Sequence, residues 1–142
     1  MKNTETKKET RKRYLKIREE IPEAARTAKG TPVVNFLNLM QRERVTAVIP
    51  IKEFAEDKYL MGVTKNGIIK KTALSNFDTS RKAGLIAMNL KDDDQLIDIK
   101  QTTGNNNVII VTKHGKCISF SEEDVRPMGR IAGGVRAIKL EG

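Results

Sequence analysis

Val63-Thr64-Lys65-Asn66-Gly67-Ile68-Ile69-Lys70-Lys71-Thr72 reads as one strand running into a tight turn and a second strand leaving it. Tyr59, Met61 and Val63 precede the turn with period two, the mark of a half-buried strand. Asn66-Gly67 predicts a type I′ turn, which needs positive φ at both central residues. Lys70 and Lys71 put two adjacent charges on the return strand. The device recurs at an offset of 48, where Val111-Thr112-Lys113-His114-Gly115 repeats four of the first five residues. A second echo lies at an offset of 50: Ala83-Gly84-Leu85-Ile86-Ala87-Met88-Asn89-Leu90 matches Gly133-Gly134-Val135-Arg136-Ala137-Ile138-Lys139-Leu140. A looser copy, one residue longer, is Lys29-Gly30-Thr31-Pro32-Val33-Val34-Asn35-Phe36-Leu37. A period of about 50 built from short strands predicts an all-β, antiparallel, propeller-like array of blades.

Composition fits that reading. Hydrophobic residues are 38% of the 142, aromatics only 4%, and Trp is absent, so the core must rest on Val, Ile and Leu. This suits short strands in layers and disfavours a large aromatic-lined ligand pocket. The net charge of +9 favours a polyanionic partner, nucleic acid first and an anionic membrane surface second. The plain alternative is a solvated basic surface with no dedicated ligand. A single cysteine, Cys117, excludes an internal disulfide and suggests a reducing compartment. No apolar run approaches the roughly 18 residues of a membrane span. The N-terminal lysines lack the apolar stretch of a secretory signal, so the cytoplasm is the expected location, with no membrane partner.

Residues 1–12 read as a disordered or frayed basic arm, and a strand is expected to begin over 14–17. The chain then divides into a partial first blade over 13–57, a complete blade over 58–107 and a partial last blade over 108–142. Strands are expected over 33–39 and 45–51 in the first unit. The second should hold 58–64, 68–74, 85–90 and 96–99, and the third 108–112, 116–120 and 135–140. One full repeat between two partial ones suggests a segment of a larger ring.

Charge is sorted within the repeat. Lys65, Lys70, Lys71, Arg81 and Lys82 stand against Asp78 alone, and an acidic turn, Asp92-Asp93-Asp94, follows. Radial blades would bring equivalent positions onto one rim, able to follow a phosphate path without reading sequence. Candidate DNA contacts are therefore Arg26, Lys29, Lys65, Lys70, Lys71, Arg81, Lys82, Lys113, Lys116, Arg126, Arg130 and Arg136. Lysines that protect strand edges against pairing would give the same pattern. A propeller-type protein-interaction platform is the second class of function left open. His114 reads as a turn residue and Cys117 as a packed small hydrophobe. The acidic turn lacks calcium-loop spacing and reads as solvated. No metal or cofactor is expected, and no catalytic constellation is visible.

Several separated motifs carry a family resemblance. Ile21-Pro22-Glu23-Ala24-Ala25-Arg26-Thr27-Ala28-Lys29-Gly30-Thr31-Pro32-Val33-Val34-Asn35 closely resembles a stretch early in the C-terminal domain of the A subunit of bacterial DNA gyrase. Val45-Thr46-Ala47-Val48-Ile49-Pro50, Lys65-Asn66-Gly67-Ile68-Ile69-Lys70-Lys71-Thr72 and Gly133-Gly134-Val135-Arg136-Ala137-Ile138 fit that family in the same order. The related topoisomerase IV domain is the alternative. The resemblance implies a β-pinwheel, a six-bladed propeller variant whose neighbouring blades exchange strands. It also implies a basic perimeter that wraps double-stranded DNA for a negatively supercoiling, ATP-dependent type II topoisomerase. The remainder of the gyrase A subunit, together with the gyrase B subunit, would be the protein partners, and the bacterial nucleoid the location. The family's catalytic tyrosine and its Gln-Arg-Arg-Gly-Gly-Lys-Gly box are absent, so the resemblance implies no enzyme activity in this chain alone, and DNA binding without wrapping.

Overall fold

The computed structural model describes residues 11–14 (as backbone), 21–41, 43–81 and 83–140. Eight strands occupy it: β1 (Arg11–Tyr14), β2 (Tyr59–Thr64), β3 (Ile68–Ala73), β4 (Leu85–Asn89), β5 (Leu96–Thr102), β6 (Asn107–Val111), β7 (Cys117–Ser121) and β8 (Val135–Arg136). The fold is all-β, its strand pairings are antiparallel, and it is built of propeller-like blades.

Both expected hairpins form, with the same turn. Val63 pairs with Ile69, and Gly67 N–H donates to the Thr64 carbonyl at 3.0 Å. Val111 pairs with Cys117, and Gly115 N–H donates to the Thr112 carbonyl at 3.0 Å. The threonine hydroxyl accepts the N–H four residues on, Ile68 at 3.2 Å and Lys116 at 3.1 Å. Each loop is thus three residues long and closes on a glycine at φ 79° or 80°, rather than a two-residue type I′ turn. This is the hairpin in which a left-handed glycine follows a four-residue turn. The threonine clasp accounts for the extra residue.

Strand exchange joins the blades. The central sheet runs β5-β2-β3-β8, so the strand following the second hairpin returns to the edge of the first. The sequence-equivalent strand β4 leaves its own blade in the same way and pairs with β1. Because β2 and β3 have neighbours on both faces, they are buried almost throughout, whereas β6 alternates between exposed and half-buried residues. Side chains of β2 point alternately to two clusters. On one face Leu60 joins Leu74 and Phe77, with Ile49, Ile51, Phe54, Ala87 and Ile99 packed around them. On the other Met61 joins Ile69 and Val125, backed by Val108, Ile110 and Phe120 of the next hairpin.

The structure also departs from the sequence reading in the extent of several strands and in the setting of Cys117. Strand β1 begins at Arg11, inside the stretch read as an arm; residues 1–10 and 15–17 lie outside the described residues. No strand forms over 33–39. Val33–Asn35 is instead a single 3-10 turn, with Asn35 N–H on the Pro32 carbonyl and Phe36 N–H on that of Val33, both at 3.0 Å. Nor does one form over 45–51, where Ile49 and Ile51 pack on the Leu60 cluster. Apolar alternation makes a strand only where another strand supplies its ladder, and among the described residues none lies beside either segment. Of 135–140 only Val135–Arg136 is strand, and Cys117 is exposed rather than packed, since it starts β7 on its outer face.

Candidate nucleic-acid interface

The exposed cations cluster at turns. Lys65 occupies the tip of the first hairpin, and Lys113 and Lys116 the tip of the second. Register brings Arg136 beside the first tip: it pairs with Ile68, and Ala137 N–H donates to the Gly67 carbonyl at 2.9 Å. Lys65 and Arg136, distant in sequence, are thus carried on neighbouring backbone, and the exposed Lys139 follows on the same docked segment. Lys139 was missed; the offset-50 echo places it two residues beyond that docked segment. Arg26 and Lys29 are exposed in the loop before the 3-10 turn, Arg81 in the loop after β3, and Arg126 after β7. Lys82 lies outside the described residues.

The acidic turn complicates the first tip. Asp94 is buried and accepts Asn66 N–H at 2.9 Å, while Lys65 N–H donates to the Gln95 carbonyl at 2.7 Å. Asp92 and Asp93 are exposed on the turn that these two bonds tie to the Lys65 tip. Charges sorted along the sequence are therefore partly remixed in space. At the second tip Lys113 and Lys116 are both exposed.

Lys70 and Lys71 are not on a rim. They are 3% and 4% exposed. Adjacent strand residues point to opposite faces, and here both faces are covered. The Lys70 ammonium donates to the Ala87 carbonyl at 2.7 Å and also to the carbonyl of Arg130. Burial, followed by the nearby half-buried Arg130 guanidinium, lowers its pKa to about 8. The ammonium therefore disfavours folding until it loses its proton. Stability should rise between about pH 8 and the unfolded value near 10.5, where the unfolded chain holds more protons. Lys70→Met should flatten that rise in urea melts taken across the window; an unchanged slope would assign it to another group.

Lys71 works on the opposite face. Its Nζ lies 3.5 Å from Glu122 Oε1, 3.3 Å from the Glu122 carbonyl and 4.5 Å above the Tyr59 ring centroid. Glu122 is 0% exposed. Its carboxylate accepts from Thr102 Oγ1 at 2.5 Å, Asn106 Nδ2 at 3.0 Å and Asn106 N–H at 3.2 Å. The backbone between these lysines and the following loop is tied as well. Met128 N–H donates to the Lys71 carbonyl at 2.8 Å, and Asn89 Nδ2 to that of Ile131 at 2.7 Å. Arg126 and Arg130 therefore sit on a loop laid along β3, with the Arg130 guanidinium reaching the Ile86 carbonyl at 3.5 Å. The two buried lysines fix this basic loop instead of extending it.

Among the described residues no group of His, Cys, Asp and Glu could hold a metal ion, and no helix is long and apolar enough to cross a membrane. A family model described as the DNA gyrase C-terminal domain, a beta-propeller, matches residues 18–52, 58–103 and 106–142. The DNA gyrase A subunit of Clostridium acetobutylicum is 54% identical over 117 residues, 82% of this chain and 14% of that protein. Its Halalkalibacterium halodurans counterpart is 50% identical over 119 residues, 84% of this chain and again 14% of that protein. This chain thus spans about a seventh of the length of these curated relatives. A crystal structure of the C-terminal domain of DNA topoisomerase IV superposes with a TM-score of 0.72 at 34% identity, covering 79% of this chain and 35% of that one. A DNA gyrase A C-terminal domain gives 0.70 at 28%, covering 80% and 38%.

Proposed function

Because the chain belongs to the DNA gyrase A C-terminal domain family, we propose that it is a DNA-binding segment of a type II topoisomerase. It holds duplex DNA by sequence-independent phosphate contacts. The observation that carries this reading is the repeated turn: the same Thr-Lys-x-Gly geometry presents Lys65 and Lys113 as exposed cations, with Arg136 and Lys116 beside them. Arg26, Lys29, Arg81 and Arg126 extend the basic surface. Lys70 and Lys71 belong to the scaffold beneath it. The units 13–57, 58–107 and 108–142 act as three successive blades. Supercoiling, ATP hydrolysis and strand cleavage belong to the rest of the gyrase A subunit and to the gyrase B subunit, in the bacterial cytoplasm at the nucleoid. Gyrase is favoured over topoisomerase IV by the 54% and 50% identities to gyrase proteins.

Neutralising about five phosphates should give log affinity a slope of about −4 to −5 against log salt on duplex DNA of any sequence. Lys113→Glu with Lys116→Glu should reduce that slope by about two. Lys52→Glu with Lys100→Glu changes the charge equally, from +9 to +5, and should leave it nearly unaltered. Equal losses from the two pairs in an anisotropy titration would replace a localised path with a diffuse field. Strong discrimination among sequences would exclude phosphate-only contact.

A further inference from the structure

Among the described residues, strand exchange leaves one donor segment and one acceptor strand unpaired. Twice a segment that follows a glycine lies on the return strand of the preceding unit. β8 lies on β3, with Ile69 opposite Val135, and β4 lies on β1, with Tyr14 opposite Leu85. The third copy of that segment, around Val33 and Val34, pairs with no strand among the described residues; it curls into its own 3-10 turn and leaves Val34 60% exposed. Conversely β7, equivalent to β3 at the offset of 48, pairs only with β6 among the described residues. Alternation turns the backbone groups of Cys117 and Ser119 away from β6. Their equivalents on β3 are both occupied, Ile69 by Val135 and the Lys71 carbonyl by Met128 N–H. The second turn is bare in the same way. A Cβ at Gly115 would meet nothing within 4 Å, where one at Gly67 would meet the docked Ile138.

We propose that a second copy of this chain supplies the absent strand, laying its 33–35 segment along β7 head to tail. Pro32 is already extended at φ −59°, ψ 132°, so only the short turn after it must open. The three backbone hydrogen bonds lost there, from Asn35, Phe36 and Leu37, are exchanged for ladder bonds to β7. Apolar surface favours the same contact. Ile109 and Val111 are 69% and 66% exposed, while Met61, the equivalent of Ile109, is buried against the next hairpin and Val63, the equivalent of Val111, is half-buried. A blade carrying the donor would cover Ile109 and Val111 as that hairpin covers Met61. Donor and acceptor are different surfaces, so the contact is heterologous: reciprocal exchange closes a pair, and one-way exchange continues.

Sedimentation equilibrium of the full chain across a concentration series tests the contact, and mass-action self-association is expected. Ser119→Pro removes an N–H pointing away from β6, a position where an edge strand accepts proline, and should return the chain to monomer. Val34→Lys, at an exposed site on the donor, adds a cation to a segment that must dock on a hairpin already carrying Lys113 and Lys116, and should do the same; it serves if the proline variant does not fold. Because the donor is one residue longer than its relatives, Val33→Cys and Val34→Cys are made separately. Mild oxidation should join one of them to Cys117 of another copy, and Ser119→Pro should abolish that product. A chain that stays monomeric throughout would overturn the proposal. So would association indifferent to both edge variants, or a disulfide confined to one chain.

Discussion

Glu122→Ala is expected to destabilise the chain by about 3–5 kcal/mol, because it leaves the Lys71 ammonium buried with its charge partner removed. Thr102 and Asn106 lose their acceptor in the same step. Against a total stability of roughly 5–15 kcal/mol, that is a large fraction. The residues involved come from β2, β3, β5 and the turn after it in the second unit, and from Glu122 after β7 in the third, so the loss should fall on the junction between the second and third blades. The repeat itself provides the control. At the offset of 48 the equivalent of Glu122 is Leu74, which is also fully buried. Lys71→Met with Glu122→Leu replaces the ion pair by the apolar solution already used one blade earlier. It should recover most of the loss, because burying an ion pair gains little over well-packed hydrocarbon. A double variant no more stable than Glu122→Ala in urea melts would mean that the hydrogen bonds, and not the buried charge, hold the junction.

The same carboxylate sets an acid limit. Burial alone would raise its pKa, but the hydrogen bonds from Thr102 and Asn106, with the Lys71 ammonium, outweigh burial and hold it below the ordinary 4.5. A depressed acid stabilises the fold fully above its unfolded value and loses that contribution as pH falls through its folded one. The chain should therefore weaken below about pH 4.5, and the Lys71→Met, Glu122→Leu variant should weaken less.

Turns and repeats were legible in the sequence because they are local. Asn66-Gly67, His114-Gly115 and the two offsets located both hairpins and the strands that are exchanged. What could not be read was anything decided by a neighbour. The 33–39 and 45–51 stretches carry strand-like apolar patterns, but a pattern does not reveal whether a ladder partner is present. Lys70-Lys71 looked like a charged edge, although adjacent strand residues cannot both face one rim. Their burial follows only once blades are stacked on both faces of β3. Glu122 sits in an acidic Ser-Glu-Glu-Asp run that drew no reading from the sequence, and its alignment with Leu74 at the offset of 48 is a signal of its burial. For the interface, the exposed turn cations were accessible from the sequence, whereas the remixing of Lys65 with Asp92 and Asp93 depends on how β5 folds back.

Strand exchange makes three left-handed glycines unequal, and alanine at each should show it. Gly67, Gly115 and Gly134 have φ 79°, 80° and 85°, so the conformational strain of a side chain is nearly the same, about 1–2 kcal/mol. Their surroundings differ. A Cβ on Gly134 would stand 2.6 Å from the Ile69 carbonyl oxygen, and one on Gly67 2.5 Å from that of Ile138. The first oxygen belongs to a residue paired in the β3–β8 ladder, and the second to the segment just beyond β8 that Ala137 N–H ties to the Gly67 carbonyl, so neither yields without loosening the docked strand. Gly115 has nothing within 4 Å. Gly67→Ala and Gly134→Ala should therefore cost at least twice as much as Gly115→Ala, about 3–4 against about 1–2 kcal/mol. The comparison belongs at concentrations where the chain is monomeric, since a strand docked on β7 would crowd Gly115 as β8 crowds Gly67. Amide exchange locates the damage: Val135 and Ala137 should lose protection in the two costly variants and keep it in Gly115→Ala. Three equal costs would mean that φ alone dictates these glycines, and that the exchanged strand adapts to a side chain beneath it.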